Sequence, residues 1–268
     1  MDIVVDKLVQ IWDGGGDGLR ALDGITHHFK SGRLTCLLGP SGCGKSTLVQ
    51  IIGGIEHATD GRILITDPGN PKVPPARIGE RSIMMWQNLN LFPWRNVIDN
   101  VAFGLEVEGV TRQQRYERAR EMLATVGLKN FEYKMCSQLS GGMRQRVALA
   151  RALIMDQPIL LMDEPFAALD AQTKIIMQEE LTRIFEKMRK TILFVTHAID
   201  EAILLGDEVV VMTARPGRIK EVIAIDLPRP RSQELVNSPE FGRLYDRILH
   251  LIRQEVLDAM RQQNEAIA

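Results

Sequence analysis

The stretch Gly39-Pro40-Ser41-Gly42-Cys43-Gly44-Lys45-Ser46-Thr47 follows the apolar run RLTCLLG and opens into STLVQIIGGI. It fits Gly-x-x-x-x-Gly-Lys-Ser/Thr between a strand and a helix, the context that separates a phosphate loop from a chance glycine-rich loop. Each residue type has a chemical reason. Gly42 and Gly44 let backbone N–H groups turn toward phosphate oxygens, and the following helix start adds positive potential. Lys45 can reach the β- and γ-phosphates, the Ser46 hydroxyl can ligate Mg²⁺, and Thr47 can donate to the α-phosphate. The ligand this predicts is a nucleotide triphosphate.

ILLMDE (159–164) places four apolar residues before two acids. Asp163, ending a buried strand, can hold Mg²⁺ through a water, and Glu164 can polarise an attacking water. Two acids capping the next helix would read the same way in isolation. The phosphate loop upstream favours the catalytic reading.

A second anion-friendly construction lies downstream in LSGGMRQRVALARAL (139–153), where Ser140, Gly141 and Gly142 open another helix. Facing the same nucleotide from the same chain, it would be redundant. One resolution is that it completes the site of a neighbouring copy: a hydroxyl, a glycine N–H and a helix N-terminus aimed at the neighbour's γ-phosphate. Head-to-tail pairing under twofold symmetry would then bury two nucleotides. Gln would match a capping-box spacing from Ser140, but Met143 stands there and cannot return that bond.

These segments need a scaffold. The short apolar runs RLTCLLG, RSIMMWQ, PILLMDE, TILFVTH and DEVVVMT lack polar alternation. They suit strands buried on both faces of a parallel sheet, with helical stretches between them. DGGGDG (13–18) reads as a hairpin or loop between two early strands, and PGNPKVPPAR (68–77) as a Pro-rich surface loop.

From about Asn88 to Met155 helical periodicity prevails, which predicts a helical subdomain inserted into the α/β core. Thr111 with Gln114 suggests a capping-box start. Tyr116, Ala119, Leu123 and Val126 follow at helical spacing, and Gly127 is the stop. After Asp226, LPRPRSQELVN reads as an extended linker. Ser238 then caps a helix with Pro239 at its first position and Phe241, Leu244, Ile248, Ile252, Val256 and Met260 as its apolar stripe. That stripe predicts packing on the chain's own core; a partner contact is the competing reading.

The bulk properties exclude other classes. The 268 residues carry a net charge of −1, against the basic excess of a nucleic-acid binder. Cys36, Cys43 and Cys136 form no CxxC pair and suit a reducing compartment. The N-terminal segment is no signal peptide, and nowhere do about 18 apolar residues run together. Any membrane role then comes through a partner.

Taken together, the phosphate loop, LSGGMRQRVALARAL and ILLMDEPFAALD resemble the ATP-binding-cassette ATPases over essentially residues 1–225. The resemblance implies an α/β fold: a P-loop NTPase (RecA-like), mostly parallel sheet core with an antiparallel β subdomain, the helical subdomain inserted at about 88–155, and a linker with a helical extension over 226–268. It assigns Gln87 to the glutamine loop that senses the γ-phosphate and Mg²⁺, and His197 to the switch histidine. Asp170 goes to the loop through which two subunits communicate. Trp12 falls where an aromatic residue stacks on adenine, with a buried core tryptophan as the competitor.

The implied mechanism is hydrolysis of ATP, with Mg²⁺, by a homodimer or heterodimer of such subunits. Long coiled coils, a second cassette and fused membrane helices are all absent, which leaves the pattern of a free-standing importer subunit. Such a subunit works with a separate permease and, indirectly, a solute-binding protein at the cytoplasmic face of the inner membrane. Leu91, Phe92, Pro93 and Trp94 fall where family members receive the permease's coupling helix, while Val101 and Phe103 suit subdomain core. VVMTARPGRIKEVIAIDLPRPR (210–231) is similar to the nitrate/sulfonate/taurine importer ATPases. A nucleotide-switched binding module, or an ATPase serving a different membrane complex, is the alternative; retention of Glu164 and His197 disfavours a module that does not turn over.

Overall fold

The computed structural model describes residues 1–12, 18–70, 76–167 and 169–267, with side chains as far as Met260. Most of DGGGDG, the centre of the Pro-rich segment and Ala168 lie outside the described residues.

Six strands form the central sheet: β3 (Leu34–Leu38), β5 (Ser82–Met85), β6 (Ile159–Asp163), β7 (Thr191–Val195), β8 (Glu208–Met212) and β9 (Ile219–Ala224). Their spatial order is β5-β6-β7-β3-β8-β9, all parallel except β9, which runs antiparallel to β8. Every residue of β3, β6, β7 and β8 is buried, which is why their sequences show no alternation. β5 departs from this expectation. It is an edge strand, and only Met85 is fully buried.

Successive side chains of a strand point to opposite faces, so the sheet supplies two cores. Leu37, Leu161, Val195 and Val210 meet helix α1 (Lys45–Ile52) and the inner face of a second sheet. That sheet, in the order β2-β1-β4, is antiparallel: β1 (Asp2–Trp12), β2 (Leu19–Phe29) and β4 (Asp60–Thr66). Leu38, Met162, Phe194 and Val211 instead join a core shared with the helices. These are α2 (Val97–Val101), α3 (Phe103–Val107), α4 (Arg112–Thr125), α5 (Gly141–Leu153), α6 (Ala171–Met188), α7 (Ile199–Leu205) and α8 (Pro239–Ile267). The helical insertion therefore has no core of its own separate from the sheet's.

α4 buries Ala119 and Leu123, with Val126 beyond its end, and Gly127 follows at φ +71° as the expected stop. Its start differs from expectation. Thr111 Oγ1 donates to Gln114 Oε1 at 2.8 Å instead of accepting a backbone N–H, so no capping box forms.

The segment after Asp226 is pinned rather than free. Arg231 is buried and fans its donors onto the carbonyls of Ile203, Gly206, Ile225 and Leu227. Arg229 pairs with Asp207 at 2.7 Å. Ser238 Oγ accepts from Phe241 N–H at 3.2 Å, the cap the sequence predicted. Phe241 and Ile248 then lock α8 into the helix-side core. Met260, at the far end of the predicted stripe, is instead 56% exposed.

Candidate active site

The carboxyl ends of β3, β6 and β7 lie side by side, so the loops that follow them converge at one edge of the sheet. The phosphate loop leaves β3. Gly42 at φ +74° and Gly44 at φ +97° occupy the left-handed region, where a side chain would be strained. A Cβ at Gly44 would also lie 2.6 Å from Leu22 Cδ2. Lys45 is buried and folded back: Nζ donates to Gly39 O at 2.8 Å and Pro40 O at 2.9 Å. α1 has no acidic side chain in its first turn to oppose an anion.

Ser41 and Gly42 are exposed, whereas Cys43 is buried in the core beneath the loop. Its side chain contributes packing, leaving only its backbone N–H to face a phosphate. Burial pushes the Cys43 thiol up from its ordinary pKa, with Lys45 opposing. Ser46 and Thr47 are half-buried on the first turn of α1.

β6 delivers the two acids. Asp163 Oδ1 accepts from Ser46 Oγ at 2.9 Å. Burial pushes the Asp163 carboxyl up from its ordinary range, while the Ser46 hydrogen bond lowers it and Glu164 raises it. No Lys, Arg or His lies within 4 Å of this buried carboxylate among the described residues. A hydroxyl and a carboxylate oxygen on hard, closely spaced atoms are a donor set that fits Mg²⁺.

Glu164, the next residue, sits at φ +45°, an uncommon conformation for a side chain of this size. Its N–H is held by Val195 O at 3.1 Å. The turn aims Oε2 at two groups at once: Gln87 Nε2 and His197 Nδ1, each 3.4 Å away.

Gln87 follows β5 by two residues and is exposed. His197, 63% exposed, follows β7. Its approach is fixed one residue earlier, where Thr196 Oγ1 bonds the buried Glu201 and accepts from Ala198 N–H at 3.0 Å. Gln87, Asp163, Glu164 and His197 thus gather with the phosphate loop at one sheet edge.

Ser140, Gly141 and Gly142 do not join them. Ser140 and Gly141 are exposed at the start of α5, and Ser140 Oγ accepts from Met143 N–H at 3.3 Å. Among the described residues no hydrogen bond links 140–142 to residues 39–47. Gly142 abuts α6, where a Cβ would lie 2.4 Å from Thr173 Cγ2.

Asp170 caps α6, accepting from Thr173 N–H at 3.0 Å and Thr173 Oγ1 at 2.7 Å, which holds its carboxyl below the ordinary range. Trp12 ends β1 opposite Leu19 and is half-buried.

Three further contributors were not singled out as site residues in the sequence, although Gln145 and Arg151 lie within LSGGMRQRVALARAL. Gln145 on α5 is buried and donates to Pro165 O, tying α5 to the turn after Glu164. Arg151 donates to Asn90 O at 2.7 Å and Leu89 O, tying α5 to the segment after Gln87. Arg215 rests on the phosphate loop itself.

Beside the Gln87 segment lies a mostly apolar groove of about 610 Å³, lined by Trp86, Phe92, Phe103, Val107, Arg151 and Met155 among others. Of the four residues predicted there, Phe92 lines it. Trp94 is 73% exposed beside it, and Leu91 turns toward the core. Phe103, predicted as core, is a groove wall, while Val101 is fully buried.

The family described as ABC transporter matches residues 22–167. An uncharacterised ABC transporter ATP-binding protein of Methanocaldococcus jannaschii is 47% identical over 96% of this chain and 93% of its own. A nitrate import ATP-binding protein of Synechocystis is 39% identical over 94% and 96%. A taurine import ATP-binding protein of Escherichia coli is 40% identical over 94% and 95%. Among solved structures, a dimeric bacterial ABC transporter cassette superposes with a TM-score of 0.71 at 29% identity, covering 84% of this chain and all of that one. A post-hydrolysis state of the same cassette, bound to ADP and phosphate, gives 0.69. Sequence likeness along nearly the whole chain and a shared fold agree with the converging loops, and the chain belongs to the ABC transporter family as one of its ATP-hydrolysing cassettes.

Proposed function

We propose that this ABC ATPase is the energy-supplying subunit of an importer, hydrolysing ATP in a two-cassette sandwich and driving a separate permease that takes up a small nitrate-, sulfonate- or taurine-like solute. The observation that carries the catalytic part is Glu164 held between Gln87 and His197 beside the phosphate loop. ATP enters a loop whose lysine already points at its carbonyls, and Lys45 Nζ exchanges Gly39 O and Pro40 O for phosphate oxygens. The Gly42 and Gly44 backbone and Thr47 complete the cradle. Ser46 and Asp163, with Gln87, would hold Mg²⁺, which when bound neutralises charge on the phosphates. Glu164 accepts a proton from the attacking water, and His197 and Gln87 fix the carboxylate's direction.

The second anion site belongs, in this reading, to the partner's nucleotide. Ser140 and Gly141 are exposed and unconnected to their own phosphate loop, which supports a role in trans. Asp170 lies on the same surface as a subunit contact, and Trp12 supplies a face for adenine. The apolar groove beside Gln87 is the docking site for the permease, and through it the subunit sits on the cytoplasmic face of the membrane. No helix among the described residues is long and apolar enough to cross a bilayer. Relatives named for nitrate and taurine import support the importer assignment.

Mixing tests the sandwich. Ser140→Arg and Lys45→Ala chains, each inactive alone, should recover part of the ATPase activity when combined, because one mixed site is intact. Absence of recovery, with both variants folded and able to pair, refutes the trans assignment.

A further inference from the structure

The turn between β8 and β9 lies against the phosphate loop and is braced from both sides. Gly217 exchanges backbone hydrogen bonds with β2, donating to Ala21 O at 2.9 Å and accepting from Asp23 N–H at 3.0 Å. A Cβ on Gly217 would lie 2.1 Å from Cys43 O, so the turn touches the loop's backbone directly. From the other side the buried carboxylate of Glu255 on α8 accepts from Ala214 N–H at 2.8 Å and pairs with Lys220 at 2.6 Å. At the tip, Arg215 Nε and Nη2 donate to Gly42 O at 3.3 and 3.2 Å.

We propose that Arg215 is a positioning residue for the nucleotide's phosphates, acting through the Gly42–Cys43 peptide and held in place by Glu255 of the C-terminal helix. Gly42 O and Cys43 N–H belong to one peptide unit. A guanidinium on the oxygen polarises that unit and strengthens its N–H as an anion donor. In the free loop this N–H makes only a long 3.3 Å bond to Pro40 O, which a phosphate oxygen can displace. The charge is also uncompensated: no carboxylate lies within 4 Å of Arg215 among the described residues, whereas Arg20 and Arg218 of the same region share Asp23. Arg215 is exposed, so its solvent-screened field adds to that of Lys45 and the α1 N-terminus at short range, through Gly42 O. The helical extension thereby reaches the nucleotide through one buried carboxylate and one turn.

This inference rests on the phosphate-loop reading, and the test separates the two. MgATP binding by calorimetry and steady-state ATPase are measured on the full chain and on Lys45→Ala, Arg215→Ala, Arg215→Lys and Glu255→Ala. Arg215→Ala should weaken MgATP binding and raise KM roughly five- to tenfold, the scale of one charge-assisted hydrogen bond at an exposed site. Its kcat should stay within about twofold and its melting temperature unchanged, since no intermediate charge is stabilised by a group behind the loop. Arg215→Lys should restore part of the affinity, and the defect should shrink as salt rises. Glu255→Ala should reproduce the affinity loss with Arg215 intact. If Lys45→Ala binds MgATP like the wild type, the phosphate-loop reading itself fails. If Lys45→Ala loses binding while Arg215→Ala keeps it, this inference alone is overturned. Unaltered affinity in Glu255→Ala would overturn the link to α8.

Discussion

The Ser46 hydroxyl donates to Asp163 Oδ1 at 2.9 Å, although the two residues stand 117 positions apart. One lies in the first turn of the helix after β3 and the other ends β6, so only the sheet brings them together. Ser46→Ala and Asp163→Asn should each abolish most of the Mg²⁺-dependent gain in ATP affinity while leaving Mg²⁺-free binding within about twofold, because they remove metal-facing oxygens and not phosphate donors. Titrating ATP with and without Mg²⁺ separates the two. Equal losses in both conditions would mean that Ser46 and Asp163 do not hold the metal.

Glu164 is held at φ +45° with its carboxylate between Gln87 and His197. Glu164→Gln should lower kcat by at least about 10²-fold, the usual worth of a positioned general base, with MgATP binding retained. Trapped ATP should favour the paired state, visible by light scattering at saturating MgATP. Turnover near the wild-type rate would remove Glu164 from the chemistry.

Cys43 lies inside the loop motif, which suggests a reactive thiol that ATP would shield. The fold argues otherwise. Cys36, Cys43 and Cys136 are all buried, and burial pushes each thiol up from its ordinary pKa. A thiol-titrating reagent should therefore react slowly with all three in the folded chain and at once with all three after denaturation. A fast-reacting thiol mapped to Cys43 would show that the loop opens readily in solution.

Arg231 satisfies four backbone carbonyls around the end of α7 without a carboxylate partner among the described residues. Burial, then repulsion from Arg229, pulls its pKa down to about 10. Arg231→Met keeps the stem but leaves those acceptors bare, which should cost about 3 kcal/mol, or about 6–12 °C in melting temperature. Arg231→Lys should recover only part, since one ammonium cannot reach the same fan of acceptors. A melting temperature unchanged in Arg231→Met would mean that water replaces the guanidinium there.

The candidate motifs and the type of fold that holds them were legible in the chain before any contact was known. Gly42, Gly44, Lys45 and Ser46 are legible because phosphate binding needs a left-handed loop and a helix start in immediate succession, a purely local demand. The four buried strands are legible because a chain covered on both faces drops its polar alternation; β5 misled because burial of an edge depends on what lies beside it. Only long-range packing makes Glu164 meet Gln87 and His197, turns Phe103 into a groove wall instead of core, and points Cys43 inward. It also decided that Arg215 rests on Gly42, 173 positions away. Those relationships depend on strand order and on which side of a strand or turn faces a neighbour, and neither is encoded in any window of contiguous residues.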